Sequence, residues 1–166
     1  MALVDALLPE LDHEMTTTRK VLERVPEDKF DWKPHARSFS LGALAAHVAN
    51  LPTWGVETLS RSEIDLGIGQ PPPTAPPSTR DLLATFDKNA ADVRSALAGK
   101  TDAELTAMWS LKRSGHTIFS MPKTTVLRSF VLSHLIHHRG QLTVYLRLLD
   151  VPVPSIYGPS ADEPAF

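Results

Sequence analysis

The sequence predicts an all-α chain, a four-helix bundle, on three observations. Apolar residues recur near the helical period in four long segments. Most prolines fall between those segments or after the last one. Three histidines crowd into five residues of the most apolar segment, His134-Leu135-Ile136-His137-His138, and His47 interrupts a second apolar run, Leu44-Ala45-Ala46-His47-Val48-Ala49. Facing helices of a bundle can bring such imidazoles together in the core.

The first helix is read from Leu3, Leu7, Leu11, Met15, Val21, Leu22 and Val25 and ends before Pro26. Residues 27–40 mix charges with Trp32, Pro34 and Arg37 and form a loop whose last residue, Ser40, caps the next run. Helix two then extends from about Leu41 to Leu59, with Pro52 bending it. Gly67, Gly69 and the five prolines between Pro71 and Pro77 make a long, semi-rigid crossover between helices two and three.

Ser78 or Thr79 caps helix three, where Leu82, Phe86, Ala90, Val93 and Leu97 trace one stripe that stops at Gly99. Within 101–122, Glu104-Leu105 has a helical look, while Trp109-Ser110-Leu111 and Thr117-Ile118-Phe119 around Ser114-Gly115 resemble a short hairpin. Helix four, about Lys123 to Leu149, is apolar on several sides and therefore buried. The tail from Val151 to Phe166 carries four prolines and lies extended on the surface.

Composition excludes several function classes. At 166 residues the chain fits one domain, 1–166. Its net charge of −2, from 17 basic and 19 acidic residues, gives no excess to neutralise nucleic acid or an anionic membrane. The absence of cysteine removes disulfides, thiolate ligands and a cysteine nucleophile. The acidic start, Met1 to Glu14, is unlike a secretion signal, and no apolar run reaches the ~20 residues of a membrane span. A cytoplasmic location is the expectation.

His134 and His138 stand one turn apart on one face of their helix, so both can point at a common atom. His47 on a facing helix is the candidate third ligand. Neutral imidazole binds zinc, nickel, copper and ferrous iron, and three protein ligands leave room on the metal for a water, a substrate or a thiolate. A lone buried histidine is more commonly a hydrogen-bonded core residue, but three such rings would each need a separate partner. His137 lies about 100° around the helix from His138 and reads as an outer or exposed residue. Leu135 stands where a zinc-protease helix carries its glutamate base, and the Glu-x-x-His pairs of di-iron bundles are missing, so a single ion is expected.

The block Ser133-His134-Leu135-Ile136-His137-His138-Arg139-Gly140-Gln141-Leu142, then Tyr145-Leu146-Arg147 and Val153-Pro154-Ser155-Ile156-Tyr157-Gly158, resembles the fourth helix and tail of the DinB-like superfamily. Leu41 to Asn50, with His47, resembles its second helix. The resemblance implies an up-up-down-down four-helix bundle, a homodimer, and one divalent metal, nickel or zinc, held by His47, His134 and His138. The wider group includes bacillithiol and mycothiol S-transferases and thiol-dependent maleylpyruvate isomerases. In the isomerase branch the position matching His134 is commonly a carboxylate, so this chain resembles the three-histidine branch.

The implied activity is S-transfer, with a low-molecular-weight thiol activated at the metal for attack on an electrophile. The alternatives are a hydrolase whose nucleophile is a water on the metal, and a metal-binding stress-response protein without turnover. A hydrolase wants a carboxylate base beside the metal. Asp162 and Glu163 in the tail are candidates for it, whereas Asp12, His13 and Glu14 read as a solvated face. Arg139 and Gln141 are candidates to shape the helix or contact a neighbour; the plainer reading makes Arg139 a solvated or interface charge and Gly140 a close-packing position. Trp54 and Tyr145 are placed to line a cavity near the metal but read more plainly as core, and Trp32 and Trp109 read as loop residues at its rim.

Overall fold

A computed structural model of the chain describes residues 2–67 and 73–164. Helix α1 spans Leu3–Leu22 and buries Leu7, Leu11, Met15, Val21 and Leu22, the stripe its spacing predicts. Its start is tied by the Asp5 carboxylate, which accepts the Ala2 N–H at 3.0 Å, and by Asp102, which accepts the Leu3 N–H at 2.8 Å. Such partners satisfy donors that a helix start leaves unpaired.

Helix two of the sequence prediction is two helices, α2 (Leu41–Asn50) and α3 (Pro52–Ser60), joined at Leu51. Ser40 caps α2 by accepting the Ala43 N–H at 3.2 Å. Pro52 lacks an N–H and is pre-set for a first helical turn, so it opens α3 instead of bending a continuous rod. The Ala49 carbonyl at this break accepts from the buried Asn89 side chain at 3.0 Å.

Helix α4 (Thr79–Leu97) begins at the predicted Ser78 cap, whose hydroxyl accepts the Asp81 N–H at 3.0 Å. It packs on α1, α2 and α3. At Gly55 of α3 an added Cβ would lie 2.4 Å from Val93 Cγ2, so glycine sets how closely α3 and α4 approach. Residues 68–72 of the proline-rich crossover fall outside the described residues.

The all-α expectation is corrected by a small three-stranded sheet. A short helix α5 (Asp102–Thr106) leads into strand β2 (Met108–Arg113), which pairs antiparallel with β3 (His116–Pro122) as the predicted hairpin. The turn places Ser114 and Gly115 at φ +50° and +80°, the two positive values a tight hairpin turn needs. A third strand, β1 (Glu63–Asp65), runs parallel to β2. Asp65 locks it to the turn by accepting the Ser114 and Gly115 N–H groups at 2.8 and 2.7 Å. Three residues are too few for an alternating pattern, so β1 left no trace in the sequence.

The predicted fourth helix is helical throughout but not uniform. A turn α6 (Lys123–Thr125) passes into a wide π-helical segment, Val126–Leu132, and then into α7 (Ser133–Leu148). Helix α7 packs on α1 and α2. The helices enclose one apolar core that includes Leu22, Leu44, Phe86, Val93, Leu135, Leu142 and Leu146. Trp109, Leu111 and Val126 form a second cluster beneath the sheet. Among the described residues no helix is long and apolar enough to cross a membrane.

Candidate metal centre

Helix α2 is apolar almost all round: eight of its ten residues are buried, with His47 half-buried toward α7. Helix α7 faces it with His134 and His138 one turn apart, as predicted. The His47 Nε2 and His134 Nε2 atoms are 3.4 Å apart. The ring centroid of His47 is 5.2 Å from that of His134 and 4.5 Å from that of His138. One nitrogen from each of the three rings falls within 4.8 Å of the others.

The donor set fits a divalent ion. Nitrogens around a tetrahedral zinc, each roughly 2.0–2.1 Å from it, stand roughly 3.3 Å from one another. The His47–His134 separation already matches that spacing, and the His138 donor nitrogen lies within 4.8 Å of both. Three neutral imidazoles suit zinc or nickel, and among the described residues no thiolate or carboxylate belongs to the group.

The environment keeps these rings uncharged. Burial pushes His47 down to about 4, helped by the neighbouring His138 and His134. His134 is lowered by burial and then by His138 and His137. His138 is lowered chiefly by burial, against a raising hydrogen bond with Gln141. An unprotonated imidazole has a free lone pair, which is the form a metal takes.

Aromatic rings flank the histidines on two sides. Phe39 lies 6.1 Å from His47 between ring centroids, and Phe130 lies 5.9 Å from His134. Trp54 meets Phe130 edge-on at 5.3 Å, and Trp32 meets Tyr145 at 5.6 Å. Trp109 is not in a loop at the rim but buried on β2. His137 is exposed, with its ring 4.8 Å from that of His138.

Three sequence expectations are overturned. Arg139 is not a solvated or interface charge: it is 1% exposed, and its guanidinium meets the Glu14 carboxylate at 2.7 Å, Thr18 Oγ1 at 3.1 Å and the Tyr157 hydroxyl. Glu14, itself 6% exposed, is not on a solvated face, and the Tyr157 hydroxyl lies 2.8 Å from each of its carboxylate oxygens. Glu14 and Thr18 continue the stripe of Leu7, Leu11 and Val21 at helical spacing, a signal that could have placed them inside. Gly140 is not a close-packing position within the chain, since an added Cβ would meet nothing within 4 Å.

The tail carboxylates lie in ion pairs away from the histidines. Asp162 pairs with Arg147, and Glu163 with Arg24 at 2.6 Å. On α1, Asp12 pairs with Arg94 at 2.8 Å.

Comparison with known proteins agrees with this architecture. The DinB family profile matches residues 3–165. The uncharacterised protein YrdA of Bacillus subtilis (strain 168) is 28% identical over 163 residues, which cover 96% of this chain and 91% of that one. A crystal structure of a DinB-like protein from Bacillus cereus ATCC 10987 superposes with a TM-score of 0.69 at 23% identity, covering 92% of this chain and 97% of that one. The DinB-like protein YjoA of Bacillus subtilis gives 0.68 at 16% identity, with 95% and 99% covered. At these identities the two structures establish the fold alone. A DinB-type helical frame carrying three histidines that could hold a metal ion, matched by the family profile nearly end to end, places the chain in the DinB family.

Proposed function

We propose that the chain is a metal-dependent S-transferase that joins a low-molecular-weight thiol to an electrophile, with His47, His134 and His138 holding one nickel or zinc ion. What carries this reading is the convergence of three uncharged imidazoles on one point with no carboxylate in the group. A divalent ion bound there supplies Lewis acidity, which lowers the pKa of a thiol that reaches it.

The chain's own residues contribute binding and an apolar setting. Burial keeps the three rings uncharged near neutral pH, so each has a ring nitrogen with a lone pair available to a metal. Phe39 and Phe130 set apolar rings beside His47 and His134. The thiol is external, because the chain has no cysteine.

Hydrolysis fits less well. A hydrolase needs a base beside the ion, and Asp12, Glu14, Asp162 and Glu163 are each paired with an arginine. We take the frame as a single domain, 1–166, whose four long helical units follow the up-up-down-down order and which acts as a homodimer.

The test is thiol conjugation to a generic electrophile, run with a panel of small thiols on protein purified without a metal-affinity tag. We expect thiol-dependent turnover that falls at least 100-fold in His47→Ala and is unchanged in the distant His116→Ala. Ester or amide cleavage without a thiol would support the hydrolase. Bound metal with neither activity would leave a metal-binding stress protein.

A further inference from the structure

The imidazole of His138 has two nitrogens, and only one can face the other histidines. Its Nδ1 lies 2.8 Å from the side-chain Oε1 of Gln141, one turn further along α7. Among the described residues this is the one side-chain hydrogen bond that reaches the three-histidine group from outside it.

A carbonyl oxygen only accepts, so it pairs with Nδ1 when that nitrogen carries the proton. The remaining lone pair is then on Nε2, the same nitrogen by which His47 and His134 face each other. If the amide turned to present its N–H₂, Nδ1 would accept, the proton would move to Nε2, and His138 could no longer donate a lone pair toward its neighbours.

We propose that Gln141 is a positioning residue: its side-chain carbonyl holds His138 in the Nδ1–H form and fixes the ring so that Nε2 faces the ion. The proposal rests on the three-histidine reading above. Outer partners of this kind orient ligating imidazoles and raise their basicity, and losing one typically costs 10–100-fold in metal affinity. The α7 backbone sets the spacing, because residues three apart on a helix are neighbours.

Two measurements on the full chain decide it. The first is nickel and cobalt affinity by chelator competition, with the cobalt visible spectrum, for wild type, Gln141→Leu, Gln141→Glu and His138→Ala. Gln141→Leu should bind 10–100-fold more weakly with a shifted spectrum. Gln141→Glu should restore binding, since a carboxylate also accepts from Nδ1. The second is the His138 ring tautomer of the metal-free protein, read from ¹⁵N shifts. It should be Nδ1–H in wild type and mixed in Gln141→Leu.

Wild-type affinity and spectrum in Gln141→Leu, beside lost binding in His138→Ala, would overturn the role of Gln141. So would an Nε2–H tautomer in wild type. If wild type bound neither ion, the three-histidine reading would fall and take the ion-directing half of the proposal with it, while the tautomer would still decide whether Gln141 sets the ring.

Discussion

His47 sits in a run of alanine, valine and leucine, and the apolar surroundings that make it conspicuous also strip its charged form of water. Its pKa is lowered to about 4, first by burial and then by His138 and His134, so the folded chain binds fewer protons here than the unfolded chain. The stability linked to His47 is therefore fully present above its ordinary value of 6.5 and is lost as pH falls from there through about 4. An NMR pH titration of the metal-free protein should show the His47 ring protonating near 4, and His134 and His138 below their ordinary range. Titration of all three near 6.5 would contradict the burial assigned to them. The i,i+4 pair and the isolated third histidine were legible in the sequence, because ligand spacing on a helix is a local property. The partner of Arg139 was not, because Glu14 lies 125 residues away and only the fold brings the two together.

At the scale of elements, Arg139 joins α7 to α1 through Glu14 and Thr18, and to the tail through Tyr157. Removing one partner of a buried ion pair leaves the other desolvated and uncompensated. Arg139→Met should therefore destabilise the chain by about 3–5 kcal/mol in urea unfolding. The double variant Arg139→Met, Glu14→Leu should recover much of that loss, because no lone charge remains. A loss below about 1 kcal/mol in the single variant would show that the pair behaves as an exposed one. Secondary structure was mostly legible from period and punctuation: Ser40 and Ser78 cap where expected, and Ser114-Gly115 makes the turn. The break at Leu51 follows from how proline acts at a helix start, which a count of apolar spacing overlooks. The π-helical segment at Val126–Leu132 changes the hydrogen-bonding step while the residues stay apolar, so hydrophobic pattern alone does not announce it.

At the scale of the whole molecule, α2 and α7 are held face to face by a core whose residues come from every long helix, and the three imidazoles meet where those two faces meet. The sheet contributes Trp109 and Leu111 to the second apolar cluster and brings Phe119 to within 5.5 Å of Phe130, so β3 backs the aromatic wall beside His134. The sequence showed the helices and the hairpin but not the sheet as a unit, because β1 reaches β2 across more than 40 residues. Elemental analysis of tag-free protein, compared with single alanine variants, tests the central claim most directly. It should find one nickel or zinc ion per chain in wild type and in His137→Ala, and almost none in His47→Ala, His134→Ala or His138→Ala. Metal retained in any of those last three variants, or absent from wild type supplied with both ions, would contradict a shared site at His47, His134 and His138.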